Sequence, residues 1–322
     1  AQKTGEGRTS TLQLLLFSIK KAFEKNIEAA LPEPHGAFLK GLTLGERESL
    51  PEDLVANFNR TGTTHIVALS GYNITLVGRF FIALLLLLSV PFQIAFWMAS
   101  AGIALFVMLT GASPSVVRAG IMGILVLVAQ REGRMYRITN ALAFAGAAMV
   151  FYNPKILLFY AAFQLSFLAT VGLVYLSPRL ESFIERFRAW RPKERMSDSR
   201  NKIFQFKQVF IETVAAQLMV LPLLIYLFGR VSVVSPLTNL LVLIAVPYSM
   251  AIGFTIGFLG FIWQPLAEIL GWVGWATLEY QIRIIELFAV LPFASVEVGK
   301  WAIIPVLLIY VWVFLKVFRQ QR

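Results

Sequence analysis

Two polar segments interrupt the apolar stretches of this chain and carry the residue types that could contact a charged ligand. The first, TGTTHIVALSGYNIT, covers 61–75, and the second, GASPSVVRAG, covers 111–120. Polar sequence with Gly and Pro is tolerated at membrane depth only where protein or a water-filled cavity satisfies the backbone. Inserting an Arg near the centre of a membrane helix costs about 3 kcal/mol of free energy. We interpret the two polar segments as the lining of a path for a polar or charged ligand.

The second polar segment has the pattern of an anion-binding helix N-terminus. Ser113 is the predicted N-cap, and Pro114 fits the first turn of the helix that follows. Ser115 and Arg118 are three residues apart and share one helix face. Free backbone N–H groups and a guanidinium one turn further suit a phosphate. The alternative interpretation is that Arg118 forms an ion pair with Glu212.

The first polar segment combines glycines with side chains that can donate hydrogen bonds. Gly62 and Gly71 allow the chain to turn or unwind. His65 lies at the mouth of the span, where it is either a ligand or an ordinary structural residue. Arg79 needs a partner or water, unless it extends to the membrane interface. The donors that could face water or phosphate are Thr61, Thr63, Thr64, Ser70 and Asn73.

Isolated polar residues also interrupt later apolar stretches. Gln164 and Ser166 lie within 156–177, and Asn239 lies within 231–246. We include these three among the candidate path residues. Gln217 and Thr238 are similar interruptions. All of them could instead join helices by hydrogen bonds, the ordinary use of such residues in membranes.

The chain lacks the residues that most enzyme chemistry needs. It has no cysteine and only two histidines, His35 and His65. A nuclease would need several carboxylates or histidines converging on metal, yet the acids near predicted spans are scattered, and neither GxxxxGK[ST] nor HExxH occurs. We therefore predict no catalytic residue, no metal, no cofactor and no enzymatic activity.

Composition indicates an all-α polytopic membrane protein. Hydrophobic residues make up 57% of the chain and charged residues only 15%, whereas a soluble domain has about 25% charged residues. We predict eight or nine transmembrane or re-entrant helices, some of them broken, because a span needs about 20 apolar residues. The candidates are 66–90, 92–110, 116–130, 138–152, 156–177, 209–228, 231–246, 248–263 and 301–318.

Charge asymmetry predicts the orientation. Basic residues outnumber acidic ones in the loop 179–208 and recur at 131–137 and in the C-terminal tail, so all three belong in the cytoplasm. The segment 1–64 is balanced in charge and is expected outside. We divide the chain into an extracytoplasmic segment, 1–38, and a transmembrane domain, 39–322. The alternative use of the basic loops is attraction of a polyanion or of anionic lipid.

Two segments have amphipathic helical spacing. Leu12–Leu31 is expected on the outer interface or packed against the spans. In Leu278–Leu291, three charged residues form a polar stripe with an internal ion pair: Glu279, Arg283 and Glu286. This second helix is either interfacial or pore-lining.

Four motifs in fixed order resemble the competence domain of the ComEC family. They are GLTLGERESLPEDLVANFNRTGTTHIVALSGYNIT, GASPSVVRAGIMG, NPKILLFYAAFQLSFLATVGL and SPLTNLLVLIAVP, and the resemblance extends from about Leu39 to the C-terminus. It implies an inner-membrane channel that admits one DNA strand to the cytoplasm of naturally transformable bacteria. The residues that match the family motifs are Thr61, Gly62, His65, Ser70, Gly71, Gly111, Ser113, Ser115, Arg118, Ala119, Gly120, Asn153, Pro154, Gln164, Leu165, Ser166, Pro236 and Asn239.

The resemblance also implies partners. Members of the family commonly carry an OB-like domain and a nuclease domain, and we expect neither in this sequence. A nuclease, an extracytoplasmic DNA receptor and a cytoplasmic ATPase are then expected in trans, with single-stranded DNA and the lipid bilayer as direct partners. Two other classes stay open from the residues alone: a transporter of a small anionic solute or lipid headgroup, and a structural membrane scaffold.

Overall fold

The computed structural model describes residues 11–67, 71–188 and 199–299 of the chain, and in these ranges most of the backbone is helical. This confirms the all-α prediction. A π-helical turn, Gly172–Leu176, continues α10 into α11, and two short strands, β1 (Arg230–Ser232) and β2 (Ser295–Glu297), pair antiparallel. The helices are α1 (Thr11–Ala30), α2 (His35–Leu44), α3 (Glu52–Thr61), α4 (Thr64–Val67), α5 (Gly71–Leu87), α6 (Phe92–Leu109), α7 (Pro114–Arg131), α8 (Ile138–Tyr152), α9 (Ile156–Phe159), α10 (Ala161–Val171), α11 (Ser177–Arg188), α12 (Ser199–Phe228), α13 (Ser235–Leu259) and α14 (Gln264–Ala289).

Several of these helices can cross a membrane, so the chain is a multi-pass membrane protein. Two further apolar helices are shorter, Asn73–Leu87 and Ile138–Tyr152. The predicted last span, 301–318, lies outside the described residues. The five helical segments in the described ranges that are long and apolar enough to span are Phe92–Leu109, Pro114–Arg131, Ala161–Glu185, Lys207–Phe228 and Ser235–Leu259.

The structure differs from the predicted spans at 231–263. Two spans are predicted there, whereas a single helix, α13, continues through Pro247. Proline is tolerated inside a membrane helix because neighbouring helices and local adjustments satisfy the freed carbonyl group. The continuous helix removes one predicted crossing from this stretch.

The amphipathic helices are where the sequence predicts them, with one change of length. The first corresponds to α1, which begins at Thr11. The second is the C-terminal half of α14, which begins earlier than predicted, at Gln264. Arg283 Nη1 and Glu286 Oε2 are 3.3 Å apart, so the predicted ion pair forms on an exposed face.

The described residues fall into two compact units. The first lies within Ala1–Glu52, His65–Tyr136 and Ala245–Ile282, and the second within Asp53–Thr64, Arg137–Ile244 and Arg283–Arg322. In the first unit, α5, α6 and α7 pack against one another. Helix α2 is buried along its whole length and forms a hairpin with α1.

The first unit has two distinguishable ends. At one end Phe254 contacts both Phe106, near the end of α6, and Phe23 of α1, with ring centroids 6.0 Å apart in each pair. At the other end the Arg131 guanidinium lies 4.9 Å from the Phe96 ring, at the start of α6. The α1–α2 hairpin and the α6–α7 turn therefore share one end, and the loop 132–136 lies at the opposite end.

In the second unit, α10, the π turn and α11 pack along α12. Gly172 allows the close approach, because a Cβ atom there would lie 2.8 Å from the Ala215 carbonyl oxygen. After α12 the chain forms the β1–β2 ribbon, in which Arg230 is opposite Glu297. This ribbon separates α12 from the first turn of α13.

Candidate functional site

The second polar segment forms the α6–α7 turn as predicted. Gly111 and Ala112 have positive φ angles of 82° and 49°. Ser113 occupies the N-cap position and Pro114 lies in the first turn of α7, but the Ser113 side chain makes no capping hydrogen bond. Its Oγ lies 3.4 Å from Ser115 Oγ instead. The hydroxyl groups thus contact each other beside the N–H groups of the first turn.

Arg118 is the buried cation of this segment. It is 7% exposed, although it lies in an apolar spanning helix. Its Nη1 lies 3.7 Å from Met122 Sδ, one turn further along α7. Burial raises the pKa of Tyr136, in the loop after α7, and the nearby Arg118 charge opposes that rise. The Arg118 guanidinium is therefore close enough to Tyr136 to influence its ionisation.

The first polar segment is divided between the two units. Thr61 and Thr63 are buried in the second unit, and their hydroxyl oxygens are 2.8 Å apart. Thr64 donates to Asn59 Oδ1. In the first unit His65 is exposed.

The remaining candidates of that segment are only partly described. In the first unit Asn73 is buried and donates to the Leu42 carbonyl oxygen at 3.3 Å. Ser70 and the side chain of Arg79 lie outside the described residues, so their assignment to the path stays a prediction.

Asn239 lies next to the first polar segment in the second unit. Its amide donates to Ser235 Oγ at 3.0 Å. Gly62, with a φ angle of 69°, approaches the same serine so closely that a Cβ atom would lie 2.9 Å from Ser235 Oγ and 3.0 Å from Ser232 Cβ. The structure thus brings residues 61–63 to the start of α13, a contact that no sequence pattern indicates.

Gln164 and Ser166 are both in α10 of the second unit. The Gln164 amide donates to the carbonyl oxygens of Leu157 and Leu158, at 2.8 and 3.1 Å. It therefore satisfies backbone groups where α9 ends and α10 begins. Ser166 contributes its carbonyl oxygen to Thr170.

Two contacts in the first unit join a buried His or Lys side chain to a carboxylate, and the sequence predicts neither. His35 Nε2 and Glu279 Oε2 are 2.8 Å apart, and the buried Lys40 Nζ lies 2.6 Å from Glu28 Oε1. The available signal was Lys40 itself, a single charge in the apolar run GAFLKGLTL. Buried charges occur with partners, so Lys40 by itself predicts an acidic partner.

Lys20 connects two carboxylates of the α1–α2 hairpin, at 3.6 Å from Glu24 and 3.3 Å from Glu46. Burial raises the pKa of Glu24, and the Lys20 charge only partly offsets this. Burial also acts to raise the pKa of Glu46. There, however, hydrogen bonds from the Glu48 N–H and from Lys20 prevail and lower it.

Within the described ranges, no group of three or more His, Asp and Glu residues is arranged to hold a metal ion. The predicted lack of catalytic and metal-binding residues in the whole chain stays a prediction.

Comparison with known proteins identifies relatives. The family described as "Competence protein" matches residues 42–322. ComE operon protein 3 of Bacillus subtilis (strain 168) is 26% identical over 226 residues, which are 70% of this chain and 26% of that protein. The chain thus spans about a quarter of the length of this curated relative. No solved structure matches it.

Proposed function

Because this chain belongs to the competence protein family, we propose that it is a membrane channel that translocates single-stranded DNA into the cytoplasm during natural transformation. The observation that carries the proposal is Arg118, 7% exposed within a spanning helix. An ionisable residue at membrane depth marks a functional site, because its desolvation is costly. A guanidinium can bind a phosphate through two hydrogen bonds, and a DNA strand presents one phosphate after another.

The path that we propose starts from the polar residues around Arg118. Ser113 and Ser115 carry neighbouring hydroxyl groups at the N-terminus of α7, where backbone N–H groups favour an anion. Beside these, we assign His65, Ser70, Asn73 and Arg79 to the path, whereas the assignment of Thr63, Thr64, Gln164, Ser166 and Asn239 stays a prediction from the sequence.

We further propose that the protein resides in the bacterial inner membrane with its N-terminus outside and its C-terminus in the cytoplasm. The two ends of the first unit support this orientation. The α1–α2 hairpin lies at the end opposite the loop 132–136, which is flanked by Arg131 and Arg137. Basic loops stay in the cytoplasm, so the hairpin is assigned to the outside.

The channel itself is assigned no catalysis. A nuclease, an extracytoplasmic DNA receptor and a cytoplasmic ATPase would then act with it in trans, because transport needs an energy source and a single strand as substrate. Family membership does not favour the alternative of a small-anion transporter.

The test is uptake of labelled single-stranded DNA by cells that supply the partner proteins. We expect Arg118→Ala to reduce uptake by at least about tenfold, because one charge-assisted contact is worth about 1.5–3 kcal/mol. Arg118→Lys should retain part of the activity, since it keeps the charge but loses the bidentate geometry. The matched control is Arg283→Ala, which removes an exposed guanidinium paired with Glu286.

Membrane levels of each variant are measured in parallel by immunoblotting. Normal uptake by Arg118→Ala would remove the residue from the path. Failure of the native chain to import DNA with all partners supplied would overturn the channel assignment itself.

A further inference from the structure

A cluster of uncharged polar side chains, four of them buried and two half-buried, lies in the second unit between the end of α12 and the start of α13. We name it the α13 cluster; its members are Thr61, Thr63, Gln217, Ser232, Ser235 and Asn239. Thr61 and Thr63 have no exposed surface, and Ser235 and Asn239 are 4% exposed. Gly62 packs against Ser232 and Ser235 on one side of the cluster. A Cβ atom at Gly62 would lie 2.9 Å from Ser235 Oγ and 3.0 Å from Ser232 Cβ.

Four hydrogen-bond donors of this cluster are used by its own surroundings. The Thr61 hydroxyl donates to the Asn57 carbonyl oxygen at 2.8 Å, so Thr63 is the donor in the 2.8 Å contact between the two threonines. The Ser232 hydroxyl donates to the Ala294 carbonyl oxygen at 3.1 Å. The amide nitrogen of Gln217 donates to the Ser232 carbonyl oxygen, also at 3.1 Å.

The acceptors of the cluster are left in excess. Gln217 Oε1 and Asn239 Oδ1 are buried and accept no hydrogen bond within the described structure. The orientation of the Gln217 amide is fixed chemically, because only its nitrogen can donate to a backbone carbonyl oxygen. A buried acceptor left unsatisfied destabilises the fold. A positively polarised guest would satisfy the Gln217 and Asn239 oxygens.

We propose that the α13 cluster binds a dehydrated monovalent cation, Na⁺ or K⁺. Its oxygens are all neutral amide, hydroxyl and carbonyl groups, a ligand set that suits a monovalent ion better than a divalent ion, which takes carboxylates. Broken helices in transporters bind coupling ions with the same kinds of oxygen. The partial positive charge at the N-terminus of α13 opposes the cation, so the affinity is low.

The experiment is thermal unfolding of the purified full chain in nanodiscs of uncharged lipid. NaCl or KCl replaces N-methyl-D-glucamine chloride at constant ionic strength. We expect one of the two ions to raise Tm by about 2–4 °C, as ligands that bind only the folded state do. The readout needs no DNA, so it succeeds or fails independently of the channel assignment.

Variants of the two amides test the location. Gln217→Leu and Asn239→Leu should lose the ion-dependent rise in Tm, whereas Asn239→Asp should enlarge it by adding a negative charge. Gln164→Leu is the control, because that amide bonds carbonyl groups of the α9–α10 break instead. If Gln217→Leu does not fold, the opposite responses of the two Asn239 variants still decide the matter.

Equal Tm values in Na⁺, K⁺ and N-methyl-D-glucamine would overturn the proposal and indicate that water satisfies the two amide oxygens. An ion effect that persists undiminished in both leucine variants would also overturn it.

Discussion

At the scale of single residues, the direction of a side chain matters as much as its identity. The sequence predicts that Arg118 shares a helix face with Ser115, at the N-terminus of α7. In the structure its guanidinium contacts Met122 and lies near Tyr136. The contacts of the Arg118 side chain therefore include groups that lie further along the chain than the first turn of α7.

Glu24 gives a prediction about pH at the same scale. Burial raises its pKa in the folded chain above the ordinary value of 4.5. An acid with a raised folded-state pKa destabilises the fold once it is ionised, so stability falls as pH rises through that window. We expect Glu24→Gln to raise Tm at neutral pH by about 1–3 °C. The gain should disappear below pH 4.5, where the native carboxyl is protonated.

Thermal unfolding of the chain between acidic and neutral pH measures this effect. Lys20 keeps Glu46 as a partner in the variant. Glu28→Gln serves as the contrast, because it weakens the 2.6 Å contact with the buried Lys40 and should lower Tm. A lower Tm for Glu24→Gln at neutral pH would contradict the assignment.

At the scale of elements, glycines set how closely helices of the first unit approach. A Cβ atom at Gly257 would overlap the Phe23 ring, and one at Gly271 would overlap the carbonyl oxygen of Ala30. Both contacts join α1 to the α13–α14 region. The buried side of α1 therefore packs against other helices. Of the two predicted locations for this helix, the outer interface or contact with the spans, the structure shows contact with the spanning helix α13.

The close contact at Gly271 predicts a large effect from a single methyl group. Gly271→Ala must displace the backbone of α1, because the obstructing atom is a carbonyl oxygen. Overpacking of this kind costs about 1–3 kcal/mol. We expect a lower Tm and faster proteolysis within α1. Gly102→Ala is the matched control, since its Cβ would meet Phe81 at an ordinary 3.7 Å. Equal stability of the two variants would contradict the packing.

At the scale of the whole molecule, charge and packing together support one orientation. The positive-inside rule assigns the basic loops to the cytoplasm. Within the first unit, the contacts of Phe254 connect the α1–α2 hairpin with the α6–α7 turn, away from the loop 132–136. The packing says which elements share an end, and the charge rule supplies the proposed assignment of that end to the outside.

The lack of native cysteine makes this orientation directly testable. Single cysteines at Lys25, Ala112 and Arg134 occupy exposed positions. A membrane-impermeant maleimide should label Lys25→Cys and Ala112→Cys in intact cells, and Arg134→Cys only after permeabilisation. Labelling of Lys25→Cys and Ala112→Cys from opposite sides would refute the proposed orientation.

Much of this protein follows from its sequence alone. Some features depend only on composition or on residues within one or two helical turns. These are the helical spans, the amphipathic α1, the Ser113 N-cap with Pro114 and the competence family motifs. These are local properties, so a linear pattern determines them. The sequence also marks Arg118 as unusual, because its cost in an apolar helix depends only on that helix.

The tertiary structure decides the rest. His35 pairs with Glu279 across 244 positions, and residues 61–63 meet the start of α13. The sequence predicts two spans around Pro247, whereas packing keeps α13 continuous. Such contacts depend on which helix faces meet and how closely glycines let them approach. No local periodicity carries that information, because it arises only when distant segments bury their surfaces against each other.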